Sequence, residues 1–122
     1  MNAFYNDFVE ACLNTCLKED FGDKSKVKKN NAAMKKILKL REETSKITDD
    51  IIDALLEHEE ERVRINAAIM CTKIERCSDK AELVLKDIYI NGKDGIVKLS
   101  ALMSLMELSQ KKKAREGQGK SG

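Results

Sequence analysis

Four cysteines, one histidine and a block of carboxylates are the side chains in this 122-residue chain whose types could do chemistry. Cys12 and Cys16 stand four residues apart, Cys71 and Cys77 six apart. A structural zinc site needs tightly spaced Cys or His pairs backed by further ligands, and neither spacing supplies one. Cys12 and Cys16 instead share one face of a helix, where a free cysteine packs as a small hydrophobe. His58 has no second histidine with which to hold a metal or relay a proton. It sits among Glu57, Glu59, Glu60 and Glu61 and reads as a solvated surface residue. Asp49, Asp53 and Glu57 recur at i, i+4, the spacing of an exposed acidic helix face, whereas a catalytic carboxylate needs burial to tune its pKa. The stretch Gly117 to Gly122 contains Gly-Lys-Ser, the end of a phosphate loop. That loop requires a glycine where Ala114 stands, with a strand before it and a helix after it. The residues therefore predict no catalytic site, no metal site and no cofactor.

The elements that would carry these residues read as helices. The chain has no proline, no tryptophan and only six glycines, which argues against an all-β sandwich with its many turns. Ala, Leu, Ile, Lys, Glu and Met dominate, and they suit helices. Few aromatics leave little material for stacking single-stranded nucleic acid. No run of about 18 apolar residues could span a membrane. Met1 to Asp7 lacks the basic start and apolar core of a secretory signal, so the chain reads as cytoplasmic, and disulfides are not expected there.

A repeat organises the helices. Ala33, Ala67 and Ala101 follow one another at 34 residues; so do Ile37, Cys71 and Leu105, and so do Leu40, Ile74 and Leu108. Within each set the steps are i, i+4, i+7, one face of an α-helix. Glu60, Val63 and Arg64 are echoed by Asp94, Val97 and Lys98, while the first unit has Lys26, Lys29 and Asn30 at those places. A second amphipathic stripe precedes each set, over Asn6 to Lys18, Thr48 to His58 and Asp79 to Ile90. Thr48 ahead of Asp49 and Asp50 is a helix start. Ser78 or Asp79 can cap the third, with Glu82 completing a capping box for Asp79. Gly22, Gly92 and Gly95 mark turns. Single helical pairs cannot bury their apolar faces alone, but stacked pairs share a core. The expected fold is all-α, an α-α superhelix of about three helical pairs (six helices) over residues 1–110, followed by a disordered basic tail over 111–122.

An acid, then Val-Arg or Val-Lys, then small residues such as Ala67-Ala68, resembles the second helix of HEAT and armadillo-like repeats. The best local matches are Glu60 to Ile74 and Asp94 to Leu108, within a resemblance that covers roughly residues 5 to 109. The resemblance implies a ladder of ion pairs joining Glu60 and Arg64 to Asp94 and Lys98. The whole chain is also similar to small bacterial HEAT-like domains, some of which act as immunity proteins against toxins.

Stacked second helices would line a concave surface. Its candidate contacts are Lys35, Lys36 and Lys39 in the first unit, Met70 and Lys73 in the second, and Ser104 and Glu107 in the third. The net charge of +2 conceals opposed blocks: eight basic residues and no acid from Lys24 to Arg41, then seven acids and no Lys or Arg from Asp49 to Glu61. The acidic edge at Glu57, Glu59, Glu60 and Glu61 suits a basic protein partner such as a toxin or nuclease domain, where it could imitate phosphate. The basic first unit and tail offer the alternative, nucleic-acid binding. In the third unit Leu99, Leu102, Met103, Leu105, Met106 and Leu108 are apolar on more than one face. Either neighbouring helices and the tail cover them, or they form a Met-rich binding surface, including one for a homodimer.

Overall fold

The computed structural model describes the backbone of residues 2–120 and the side chains of residues 2–116. The described chain is all-α. Six helices run in order: α1 (Ala3–Leu13), α2 (Lys24–Glu42), α3 (Asp49–Leu56), α4 (Glu61–Ile74), α5 (Ser78–Asn91) and α6 (Gly95–Lys120). Short 3-10 turns at Lys18–Asp20 and Thr44–Lys46 interrupt the first two connections.

Local sequence sets where most helices begin. The first N–H groups of a helix lack internal acceptors, and short polar side chains supply them. Asn2 Oδ1 accepts from the Tyr5 N–H at 2.9 Å. Asp23 Oδ1 accepts from Ser25 and Lys26, and Thr48 Oγ1 from Ile51. Asp94 Oδ1 accepts from Ile96 and Val97 at 2.9 and 3.2 Å.

The start of α5 departs from the expected Asp79–Glu82 box. Its N-cap is Cys77, without a side-chain hydrogen bond, and Glu82 pairs with Lys112 at 2.7 Å. The connection from α4 is only three residues long, Glu75 to Cys77, and it turns by placing Glu75 (φ 57°) and Cys77 (φ 53°) in the left-handed region. No extended residue is left to cap from. Each left-handed non-glycine residue costs roughly 1–2 kcal/mol. Arg76, between them, fastens the turn by donating to the Ile47 carbonyl and to Asp49 Oδ1, the latter at 2.7 Å.

Helices that follow one another pack together, α1 with α2, α3 with α4, α4 with α5 and α5 with α6. Helix α4 also touches α1, α5 and α6, so it occupies the middle of the assembly. Ala33, Ala67 and Ala101 are all buried, in α2, α4 and α6. Ala67 and Ala101 share one core with Phe8, Ile37, Ile52, Leu55, Val63, Met70, Leu85 and Ile88. Burying one such large side chain contributes about 1.5–3 kcal/mol.

Helix α6 runs on through the basic segment that begins at residue 111, as far as Lys120. Lys112 on Glu82 and Arg115 near Glu75 (3.8 Å) fasten it, and Lys, Ala, Arg and Gln favour helix intrinsically. Ser121 and Gly122, the end of the Gly-Lys-Ser stretch, lie outside the described residues. Among the described residues no helix is long and apolar enough to cross a membrane.

Candidate functional site

Three connections, those following α1, α3 and α5, meet at one end of the helices. They enclose a cleft of about 400 Å³ lined by Leu17, Glu19, Glu59, Glu60, Glu61, Arg64, Lys93 and Asp94. Five carboxylates thus face two cations. Three of the five are held in place. Glu60 Oε1 accepts from Arg62 Nε at 2.8 Å. Glu61 Oε1 accepts from the Lys93 N–H at 2.7 Å, and Asp94 Oδ2 from the Lys18 N–H at 2.9 Å. Glu19 and Glu59 are exposed and have no ion partner among the described residues. The acidic edge read from the sequence is therefore assembled here, except for Glu57, which is exposed at the end of α3 and does not line the cleft.

Arginines and a histidine brace this end. Arg62 Nη1 donates to the carbonyls of Leu13 and Thr15 at 3.0 and 3.1 Å, closing the C-terminal end of α1 onto α4. Arg64 Nη1 donates to the carbonyls of His58 and Glu59 at 2.7 and 2.8 Å. The ion-pair ladder expected from Glu60 and Arg64 to Asp94 and Lys98 does not form. Arg64 folds back onto the preceding turn, Glu60 is taken by Arg62, and Asp94 serves as a helix cap. His58 is not a free surface side chain either: it is half-buried, and its Nδ1 accepts from the Glu60 N–H at 3.0 Å. In the connection after α1, Asp20 is buried and accepts from the Leu17 N–H and from Lys26 Nζ, both at 3.0 Å. These hydrogen bonds, the backbone one first, hold its carboxyl below the ordinary value.

The residues expected on the second helices fare differently. Lys35, Lys36 and Lys39 are exposed on α2 and have no ion partner among the described residues. Lys36 and Lys29 face Asp7 and Glu10 across a groove of about 430 Å³ between α1 and α2, floored by Ala11, Ala32 and Ala33. Met70 offers no contact, because it is fully buried. Helix α4 is packed on several sides, so a residue off its main apolar stripe still meets a neighbour. Lys73 and Glu107 are exposed and bond each other at 3.1 Å, across the same 34-residue offset as the repeat. Ser104 is half-buried on α6.

Sequence reasoning missed a smaller hollow of about 260 Å³ between α2, α4 and α6, where Phe21, Met34, Ile69 and Ile96 meet Asn30 and Ser100. Phe21 stands alone in a connection and Met34 lies off the repeated stripe, so periodicity gives no signal for either. Nor does the sequence analysis single out Arg62, and it gives Asp94 a place in an ion-pair ladder rather than at a helix cap. An aspartate immediately before a helix is a capping signal, and it would have identified Asp94.

Burial pushes the Cys12 and Cys71 thiols up to about 12, which keeps them protonated and unreactive. Among the described residues no group of three His, Cys, Asp or Glu side chains converges as a metal site requires. Comparison with protein-family models, with curated proteins and with solved structures gave no match.

Proposed function

We propose that the chain is a non-catalytic protein-binding module, built as an α-α superhelix of HEAT-like pairs and acting in the cytoplasm. In its most concrete form it is a bacterial immunity protein that binds and neutralises a cognate toxin. The acidic cleft is the observation that carries this reading. Its carboxylates come from three connections, and hydrogen bonds fix Glu60, Glu61 and Asp94 in advance. Fixed side chains lose little freedom when a partner docks. A nuclease-type toxin presents a cationic phosphate-binding surface, and a cleft lined by five carboxylates complements it in sign. The shared burial of Ala33, Ala67 and Ala101 and the Lys73–Glu107 pair support the repeat part of the reading.

The test is co-purification of the chain from its native host, with identification of what accompanies it and challenge of a deletion strain with that protein. The expected partner is a toxin with a basic active-site surface, to which the deletion strain is sensitive. Reversing the two unfixed cleft charges, Glu19→Lys with Glu59→Lys, should weaken binding by about 100-fold. Recovery of the chain alone, with no effect of deletion on toxin sensitivity, refutes the reading.

One observation favours nucleic-acid binding as a second reading. Lys24, Lys28, Lys29, Lys35, Lys36 and Lys39 are all exposed on α2 without an ion partner among the described residues. If they neutralise phosphates, a gel shift seen at about 50 mM salt should collapse as salt rises. No shift at that salt eliminates this reading.

A further inference from the structure

Among the described residues, six of the ten large hydrophobic side chains left exposed belong to α5 and α6: Leu83, Tyr89, Ile90, Leu99, Met103 and Met106. Helix α5 buries Ala81, Leu85 and Ile88 against the core. Its opposite face carries Leu83, Lys86, Asp87 and Ile90, spaced i, i+3, i+4, i+7, and Leu83 and Ile90 are 67% and 69% exposed. On α6, Leu99, Met103 and Met106 follow at steps of four and three, the stripe of a helix that packs against another. The Glu82–Lys112 pair sets the register of the two helices. Leu83 consequently lies toward the Met106 end of the stripe and Ile90 toward the Leu99 end. A stacked array normally closes with a polar outer face, whereas here Leu83 and Ile90 flank Lys86 and Asp87 on α5 and an apolar stripe is exposed on α6.

The chemistry of that face selects its occupant. A two-fold axis perpendicular to α5, passing between Lys86 and Asp87, brings Leu83 opposite Ile90 of a second copy and Lys86 opposite Asp87 of that copy. Leu83 and Ile90 lie equally far from the axis, so both apolar ends are covered together. Neither Lys86 nor Asp87 has an ion partner among the described residues; Asp87 accepts only from Asn91 Nδ2, at 2.9 Å. A partner of strong single-sign charge would leave one of the two unmatched, whereas a second copy matches both. None of these residues lines the acidic cleft. We propose that the chain forms an isologous dimer by packing α5 against α5 of a second copy, with the α6 methionine stripe flanking the contact.

Sedimentation equilibrium of the full chain tests this over concentrations of about 1–100 µM, where a moderate dimer dissociates measurably. A monomer–dimer equilibrium is expected. Leu83→Glu with Ile90→Glu should give a monomer with unchanged far-UV circular dichroism, since both side chains are exposed. Lys86→Asp and Asp87→Lys should each weaken the dimer about tenfold, and the double exchange should restore it to within about twofold. A wild-type monomer throughout the range overturns the proposal. So does a dimer indifferent to the glutamates, a double exchange that fails to restore, or a monomer that uses this face only for a different protein.

Discussion

The acidic loop end and the basic helix α2 carry opposite charge and hold it in opposite ways. At the loop end, Glu60, Glu61 and Asp94 are tied to Arg62, to the Lys93 N–H and to the Lys18 N–H. These charges fasten three connections together while they line the cleft. Along α2, Lys26 is paired with Asp20, but Lys35, Lys36 and Lys39 project without an ion partner among the described residues. Removing a fixed charge should damage the fold, whereas removing a free one should alter only the field the surface presents. Charge blocks that look symmetrical in the sequence are thus physically unequal.

The contrast can be broken most directly at Arg62. Arg62→Ala removes two bonds to backbone carbonyls and the partner of Glu60, and should lower the unfolding free energy by about 2–4 kcal/mol in urea titration. A loss below about 0.5 kcal/mol, the range of ordinary surface changes, would show that the loop end is no more integrated than α2. Asp94→Ala should cost about 1–2 kcal/mol, because it uncaps α6 and releases the Lys18 N–H.

Asp20 gives a smaller, pH-dependent effect. Its folded pKa lies below the ordinary 3.8, so its contribution is complete above that value and is lost as pH falls through the folded pKa. Melting temperature should therefore drop on acidification below about pH 4, and Asp20→Asn should flatten that part of the profile. An unchanged profile in Asp20→Asn would remove Asp20 from the fixed set. The smallest change is expected on the basic side. Replacing Lys35, Lys36 and Lys39 together by Gln should leave stability within about 0.5 kcal/mol. A larger loss would mean that these lysines, too, are part of the fold.

The repeat spacing made the helices legible. Ala33, Ala67 and Ala101 mark α2, α4 and α6, and Thr48 marks the start of α3, because small residues and hydroxyl caps act locally. The role of Glu82 is not legible locally, because it depends on Lys112, thirty residues away. The burial of Met70 is not legible either, because periodicity identifies one apolar face and cannot tell that a helix is surrounded. The cleft was half legible. Glu59, Glu60 and Glu61 are adjacent in sequence, whereas Glu19 and Asp94 join them only through the meeting of three connections. Long arginine side chains obscured the rest, since Arg62 and Arg64 reach backward to carbonyls that sequence patterns do not register.

Helix α4 contacts α1, α3, α5 and α6 and buries Val63, Ile65, Ala67, Ala68, Met70 and Cys71. Many helical proteins open first at their terminal helices, such as α1 with α2 or α5 with α6 here. Here, detaching either terminal pair would uncover α4. Its amides should therefore exchange with solvent deuterium only through global opening, making α4 the slowest-exchanging segment and the whole chain a single cooperative unit.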